Sequence, residues 1–145
     1  MPTPVFLTLD EVVEIHQDQI ARYGGSAGIR DTGLLQSAVA MPQAGFGGEY
    51  FHKDVCEMAA AYLFHIVMNH PFVDGNKRTG AAAAVVFLAM NDIELDAPEE
   101  AFEKLVRLVA TGQVGKPQVA EFFRKNSRAA DSQRGPSQNP SGSSR

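Results

Sequence analysis

Apolar residues recur along most of this chain at the three- and four-residue spacing of helices that bury one face. Leu9, Val12, Val13, His16, Ile20 and Tyr23 form the first such stripe. Thr8-Leu-Asp-Glu11 ahead of it reads as a capping box, and Gly24-Gly25 ends the helix. Asp31 is the cap of a short second helix running to about Val39, closed by Pro42. Asp54 with Glu57 caps a third helix to about Asn69. Its residues Met58 to Val67 are apolar nearly all round, which predicts a central, buried helix. The pattern breaks from His70 to Gly75, where Pro71 disfavours helical geometry at the residue before it. It resumes at about Asn76 and runs to Met90, with Asn91 as its cap. Gly80 and Ala81 to Ala84 leave one stretch nearly bare, so a neighbour can pack close. Asp96, Pro98 and Glu99 open a further helix carrying Phe102, Leu105, Val106 and Val109, which Gly112 ends. Pro117 opens a last one with Val119, Phe122 and Phe123. Strand patterning is confined to Ile93-Glu-Leu95. Pro42 to His52, with Gly45, Gly47 and Gly48, reads as a loop containing at most a short extended piece. The class is all-α.

The helical pattern stops at Ser127. Residues 127–145 hold six Ser, two Pro, two Gly and no large apolar side chain. Such a segment cannot offset its own ordering entropy, so it is expected to be a disordered tail behind a single domain of residues 1–126.

Charge and cysteine usage narrow the functional classes. A net charge of −4 argues against a phosphate-backbone binder, so direct nucleic-acid binding is not expected. The lone cysteine, Cys56, forms no internal disulfide and sits in an apolar run, as a buried small hydrophobe would. The N-terminal residues lack a basic stretch followed by an apolar one. His65, Asn69, His70 and Asn91 interrupt the most apolar segments. Neither a secretory signal nor a membrane span is expected, and the expected location is the cytoplasm.

The chemistry concentrates in His70-Pro-Phe-Val-Asp-Gly-Asn-Lys-Arg78, which joins the two most apolar helices. The N-terminus of the second helix offers unpaired N–H groups and a partial positive charge. Lys77 and Arg78 add two cations in its first turn, against the macrodipole. A bound anion would turn that cost into a gain, which is the pattern of a phosphate site. Gly75 lets an anion approach the backbone closely. Asp74 is placed to hold Mg²⁺ beside bound phosphates. His70, on the rim of the loop, can take a proton from an incoming hydroxyl. Phe72 is read as a plug that pins the loop to the core, and Asn76 as a helix cap, a phosphate ligand, or both. His16, His52, His65 and His70 lack zinc-ligand spacing, and no P-loop pattern occurs.

This segment resembles the signature of the Fic/Doc (Fido) family, H-x-F-x-[DE]-[GA]-N-x-R, through His70, Phe72, Asp74, Gly75, Asn76 and Arg78. Leu7-Thr-Leu-Asp-Glu11, Tyr23-Gly-Gly, Gly28-Ile-Arg-Asp31 with Leu34-Leu35, Phe64-His65 and Asn76-Lys-Arg-Thr79 are similar to the death-on-curing branch. Together they carry the resemblance over about Val5 to Phe123. It implies a Fido-type helical bundle with a short flap loop, Pro42 to His52, before the central helix, on which the target docks as an added strand.

It also implies a toxin of a type II toxin–antitoxin system that uses ATP and Mg²⁺. His70 would be catalytic, Gly75, Asn76, Lys77 and Arg78 would bind ATP, and Asp74 would hold the metal. In the death-on-curing branch the γ-phosphoryl passes to a threonine of elongation factor Tu, blocking translation. AMP-transferring members typically carry G-N-G-R-x-x-R. Lys77 and Ala81 depart from that pattern towards kinase members, whereas Gly75 replaces an alanine and leaves AMP transfer open. The inhibitory pattern [ST]-x-x-x-E-[GN] is not found, so inhibition is expected from a separate cognate antitoxin. A non-enzymatic corepressor role is the alternative outside catalysis.

Overall fold

The computed structural model describes residues 3–130. Its elements, in chain order, are α1 (Leu9–Tyr23), α2 (Thr32–Ala40), a 3₁₀ turn (Met41–Gln43), β1 (Gly45–Phe46), β2 (Glu49–Tyr50), α3 (Val55–Asn69), α4 (Asn76–Met90), β3 (Ile93–Leu95), α5 (Glu99–Ala110), α6 (Lys116–Asn126) and β4 (Ser127–Ala129). The bundle is thus nearly all helical, as its apolar periodicity predicts. None of the described helices is long and apolar enough to cross a membrane.

Helix starts follow the expected caps. Thr8 and Glu11 form a complete capping box at α1. The Asp31 carboxylate accepts from Leu34 N at α2, and that of Asp54 from Glu57 N at α3. Each such cap is worth about 1 kcal/mol.

α3 is the centre. It packs on α4, α6, α2 and α5, while α1 lies across α4. Tyr62 from α3, Phe87 from α4 and Phe123 from α6 are fully buried, and the Tyr62 and Phe87 rings pack 5.0 Å apart. Burying each ring contributes about 1.5–3 kcal/mol. The Tyr62 hydroxyl accepts a hydrogen bond from Leu7 N at 2.9 Å, which ties the chain's start to α3.

α3 and α4 approach closely at Gly80. A Cβ there would meet Val67 Cγ2 at 2.9 Å and the Leu63 carbonyl oxygen at 3.2 Å. The bare stretch of α4 is therefore a packing surface, as its composition predicts.

Two short antiparallel pairs complete the fold. β1 pairs with β2 (Gly45↔Tyr50, Phe46↔Glu49), so the segment read as a loop is a hairpin with exposed strands. β3 pairs with β4 (Ile93↔Ala129, Glu94↔Arg128, Leu95↔Ser127). This corrects the boundary at Asn126: the domain continues through β4. Composition misleads there because β4 is held by backbone pairing and by the Arg128 ion pair to Glu94 at 3.2 Å, neither of which needs apolar residues of its own. Residues 131–145, the rest of the expected tail, lie outside the described residues.

Gly80→Val should lower the free energy of unfolding by about 1–3 kcal/mol, the usual cost of overpacking a close contact. Ala89→Val, on the exposed side of the same helix, should cost well under half of that. Urea denaturation of the two variants checks the difference.

Candidate active site

The loop between α3 and α4 is closed by one buried amide. Asn76, the first residue of α4, accepts from Phe72 N through Oδ1 at 2.9 Å and donates from Nδ2 to Phe72 O at 3.0 Å. Phe72 is fully buried, as the plug reading requires. Its ring stacks on the His16 imidazole at 3.9 Å and 4°. His16 in turn sits 2.8 Å from the Asp74 carbonyl oxygen through Nε2. A carbonyl can only accept, so Nε2 carries the proton. At the loop's end, Gly75 has φ +76, the left-handed region that glycine enters at least cost.

A second segment, residues 24–31, lines the loop's outer side. Arg30 N and Asp31 N both donate to the Pro71 carbonyl, Val73 N donates to Gly28 O, and Ile29 bridges Phe72. The Arg30 guanidinium donates to the carbonyls of His70 at 2.6 Å and Asn69 at 3.0 Å. These are C-terminal carbonyls of α3, which a cation complements. His70 caps α3 in the left-handed conformation (φ 52, ψ 53) and is exposed. Among the described residues no group hydrogen-bonds its imidazole.

The other predicted residues gather at the start of α4. No side chain caps this helix, in contrast to α1, α2 and α3. Its first N–H groups are therefore left for an outside acceptor. Lys77 is exposed. Arg78 donates to Gly24 O at 3.0 Å and lies 5.7 Å from the centroid of the Tyr23 ring, so the C-terminal end of α1 partly balances its charge.

Asp74 is also exposed. Its carboxylate accepts from Ser26 N at 3.1 Å and Gly75 N at 2.8 Å. These two N–H groups, with smaller help from Arg78 and His16, hold its pKa below the ordinary carboxylate range. A Cβ at Gly25 would come within 2.6 Å of Asp74 Oδ2, so this approach depends on glycine.

The loop and the first turn of α4 carry His70, Asp74, Gly75, Lys77 and Arg78 within nine residues, and all but the half-buried Gly75 and Arg78 are exposed. Asn76 is buried instead. Both of its amide atoms are committed to Phe72, so its side chain shapes the site, and only its backbone N–H faces the helix end. A groove of about 880 Å³ opens beside Lys77 and Arg78, between α1, α4 and α5, with Tyr23, Ala81, Val85 and Phe102 in its walls.

The donor set fits Mg²⁺ in a limited way. Asp74 is ionised, exposed and held in place, but the described residues contain no group of three metal-ligating side chains. Mg²⁺ commonly takes one or two carboxylates and fills its shell with water and phosphate oxygens, which suits a single aspartate beside an anion site.

Sequence reasoning missed two positioning residues. His16 belongs to the apolar stripe of α1, and its place in a run of core positions was the available signal. Arg30 stands in the Gly28-Ile-Arg-Asp31 motif, but its task is not legible there, because its partners lie about forty residues away.

Asn76→Asp should destabilise the fold by about 1–3 kcal/mol or more. It replaces the donor facing Phe72 O with an oxygen and buries a charge. Thermal or urea unfolding measures the loss, and a neutral effect would mean that the amide does not close the loop.

Comparison with known proteins identifies the family. The Fic/DOC family profile matches residues 6–88, from the start of the chain through most of α4. The chain is 34% identical over 117 residues to "Protein kinase doc" of Escherichia phage P1, covering 80% of this chain and 90% of that protein. It is 44% identical over 91 residues to "Toxin Doc" of Mycolicibacterium smegmatis, covering 61% and 70% respectively. The match spans the whole of the loop that Asn76 closes, and the chain belongs to the Fic/DOC family.

Proposed function

We propose that this protein is a Doc-type toxin that transfers the γ-phosphoryl group of ATP to a hydroxyl of a protein, with a threonine of elongation factor Tu as the target that the family resemblance suggests. The observation that supports the reading is the uncapped N-terminus of α4, flanked by Lys77, Arg78 and an ionised Asp74, with the exposed imidazole of His70 at the other end of the same loop. One of its relatives is named a protein kinase and another a toxin, which supports the same reading.

Each residue has a distinct task. The backbone N–H groups at Asn76 to Arg78 and the two cations bind the phosphates. Asp74 is the residue that would hold Mg²⁺, whose charge neutralises phosphate oxygens when it is bound. His70 removes the proton from the incoming hydroxyl. It is held by its backbone rather than by its ring, which leaves the imidazole open to a substrate. Phosphoryl transfer depends on positioning and charge neutralisation more than on covalent chemistry. A loop locked by Phe72 and Asn76 supplies the first, and the helix end supplies the second.

A separate antitoxin is the inhibitor this reading requires. The groove between α1, α4 and α5 opens beside Lys77 and Arg78, so a partner seated in it would block the phosphate site. AMP transfer is the second reading, and Gly75 favours it. A Cβ there would lie 3.5 Å from the Arg78 guanidinium and 3.2 Å from Ile20 Cδ1, so glycine keeps the pocket wider than alanine would.

Incubation of the purified protein with cell extract and ATP labelled separately at the α and γ positions decides between them. γ label on a protein is the expected result. α label would establish AMP transfer, and no label would favour a corepressor role without catalysis. ATP with Mg²⁺ should raise the melting temperature, because a ligand of the native state stabilises it. Arg78→Ala should remove most of that rise, and a full rise would place the phosphates elsewhere.

His70→Ala should keep the fold and ATP binding but slow transfer by at least about 10²-fold, the low end for a general base. Asp74→Asn should also cripple transfer, with a defect that changes with Mg²⁺ concentration. Growth arrest on expression should vanish in both. Full toxicity of a folded His70→Ala protein would remove His70 from the base role.

A further inference from the structure

A second cluster of titratable groups lies away from the loop, where the hairpin rejoins the bundle. Lys116, the first residue of α6, places its ammonium 3.1 Å from His65 Nε2 on α3 and 3.3 Å from His52 Nε2, two residues past β2. It also lies 6.0 Å from the centroid of the Phe64 ring, which meets the His65 ring edge-on at 5.2 Å. An ammonium has only donors, so both imidazoles accept at Nε2. Both are then neutral, with the proton on Nδ1. The buried Nδ1 of His52 faces the Pro42 carbonyl without a well-formed hydrogen bond. Pro42 belongs to the turn that leads into the hairpin, so His52 stands between both legs.

The charged surroundings do not offer a competing partner for the ammonium. Residues 32–44 and 111–115 contain no ionisable side chain. On the segment that carries His52, Lys53 is exposed and Asp54 pairs with Arg124 of α6 at 3.2 Å. On α3, Glu57 favours a charged His52, but it is shared with Arg124 at 3.0 Å and with Lys53 N at 2.8 Å, and Cys56 is buried. On α6, Glu121 pairs with Arg124 and Lys125. Tyr50 of β2 packs on Phe6. Among the described residues no carboxylate pairs with Lys116.

We propose that Lys116, His52 and His65 form an acid-sensitive latch that holds the base of the β1–β2 hairpin to α3 and α6 while both imidazoles are neutral, and lets it go when they take up protons. Protonation acts twice. It removes the acceptor that each Nε2 offers, and it sets a second and third cation against the ammonium.

The direction of the pH effect follows from the surroundings. Burial, then Lys116, pushes His65 down to about 4, and the same two causes lower His52. A released imidazole returns to its ordinary value near 6.5. The released state therefore binds more protons between those values. The latch is at full strength above about pH 6.5 and weakens as pH falls towards 4. The hairpin itself offers little resistance, since its strands are exposed and its closure rests on short backbone pairing such as Phe51 N to Ala44 O at 2.9 Å.

NMR of the full chain from pH 7.5 to 4.5 tests the latch. The His52 and His65 ring signals should titrate below their ordinary range. The protection factor of the Phe51 amide should fall at least about tenfold over the same interval, since each displaced pKa unit is a factor of ten. His52→Gln/His65→Gln keeps an acceptor for Lys116 but cannot take up a proton, so its Phe51 protection should stay flat. The latch is overturned if both rings titrate in the ordinary range, or if the double variant loses protection as the wild type does. If the double variant does not fold, the wild type alone decides. A fall in Phe51 protection whose midpoint departs from the ring titrations, or the absence of any fall, overturns it equally.

Discussion

Everything at the α3–α4 corner depends on the side-chain amide of Asn76. A chain that leaves one buried helix and enters another must turn without leaving peptide groups unpaired inside the core. Phe72 is the residue where that difficulty is greatest, because its ring is fully buried and its peptide groups go with it. Asn76 answers both peptide groups at once, one through its oxygen and one through its nitrogen. No other residue of its size carries a donor and an acceptor so spaced. With Phe72 held, His16 stacks on it, reaches the Asp74 carbonyl and fixes the last part of the loop. The exposed groups of the corner therefore stand on a buried scaffold in which the Asn76 amide and the Phe72 peptide satisfy one another. A half-satisfied network at the same place would cost about 1–3 kcal/mol per orphaned group.

The electrostatics of the corner come largely from helix ends. The C-terminal carbonyls of α3 draw Arg30, the Gly24 carbonyl at the end of α1 draws Arg78, and the start of α4 keeps its N–H groups free. Each helix-end interaction is worth about 0.3–1 kcal/mol at an exposed site, so none dominates. Their effect is geometric. Arg78 is tethered beside the start of α4 by a backbone carbonyl instead of swinging in solvent. Asp74 shows the same economy, since its two N–H partners depress its pKa and fix its orientation without burying it. Of the two cations beside the start of α4, Arg78 is partly compensated by the end of α1, whereas Lys77 is exposed.

Local signals made most of the fold legible. The caps Thr8, Asp31 and Asp54 mark where α1, α2 and α3 start, and the apolar run of Met58 to Val67 marks the centre. The limits of α4 coincide with Asn76 and Met90, because Gly75 and Asn91 flank a run of strong helix formers. What was not legible was long-range backbone pairing. β4 looks like the start of a polar tail, and only β3, thirty-odd residues earlier, makes a strand of it. The same limit hid the task of Arg30, whose carbonyl partners are distant in sequence. Asn76 was legible as important but not in its task. Its identity suits a cap, a phosphate ligand or a loop-closing amide equally well, and the fold commits it to the third.

α3 connects the two regions where ionisable groups gather, and the contrast between them is instructive. At its C-terminal end, the protein spends backbone hydrogen bonds on the loop and leaves the imidazole of His70 free. Five residues earlier, His65 is held by its ring nitrogen to Lys116 and its backbone belongs to the helix. One histidine is positioned through its main chain and presented outward, and the other is consumed through its side chain. The first arrangement suits proton transfer with a partner that arrives and leaves. The second suits holding two parts of the protein together for as long as the ring stays neutral. Since both rings stand on the same helix, a shift of the hairpin at His52 need not disturb the loop at His70. α3 is braced on α4, α6, α2 and α5 along its length, so movement at the hairpin can be confined to the segment that Lys116 releases.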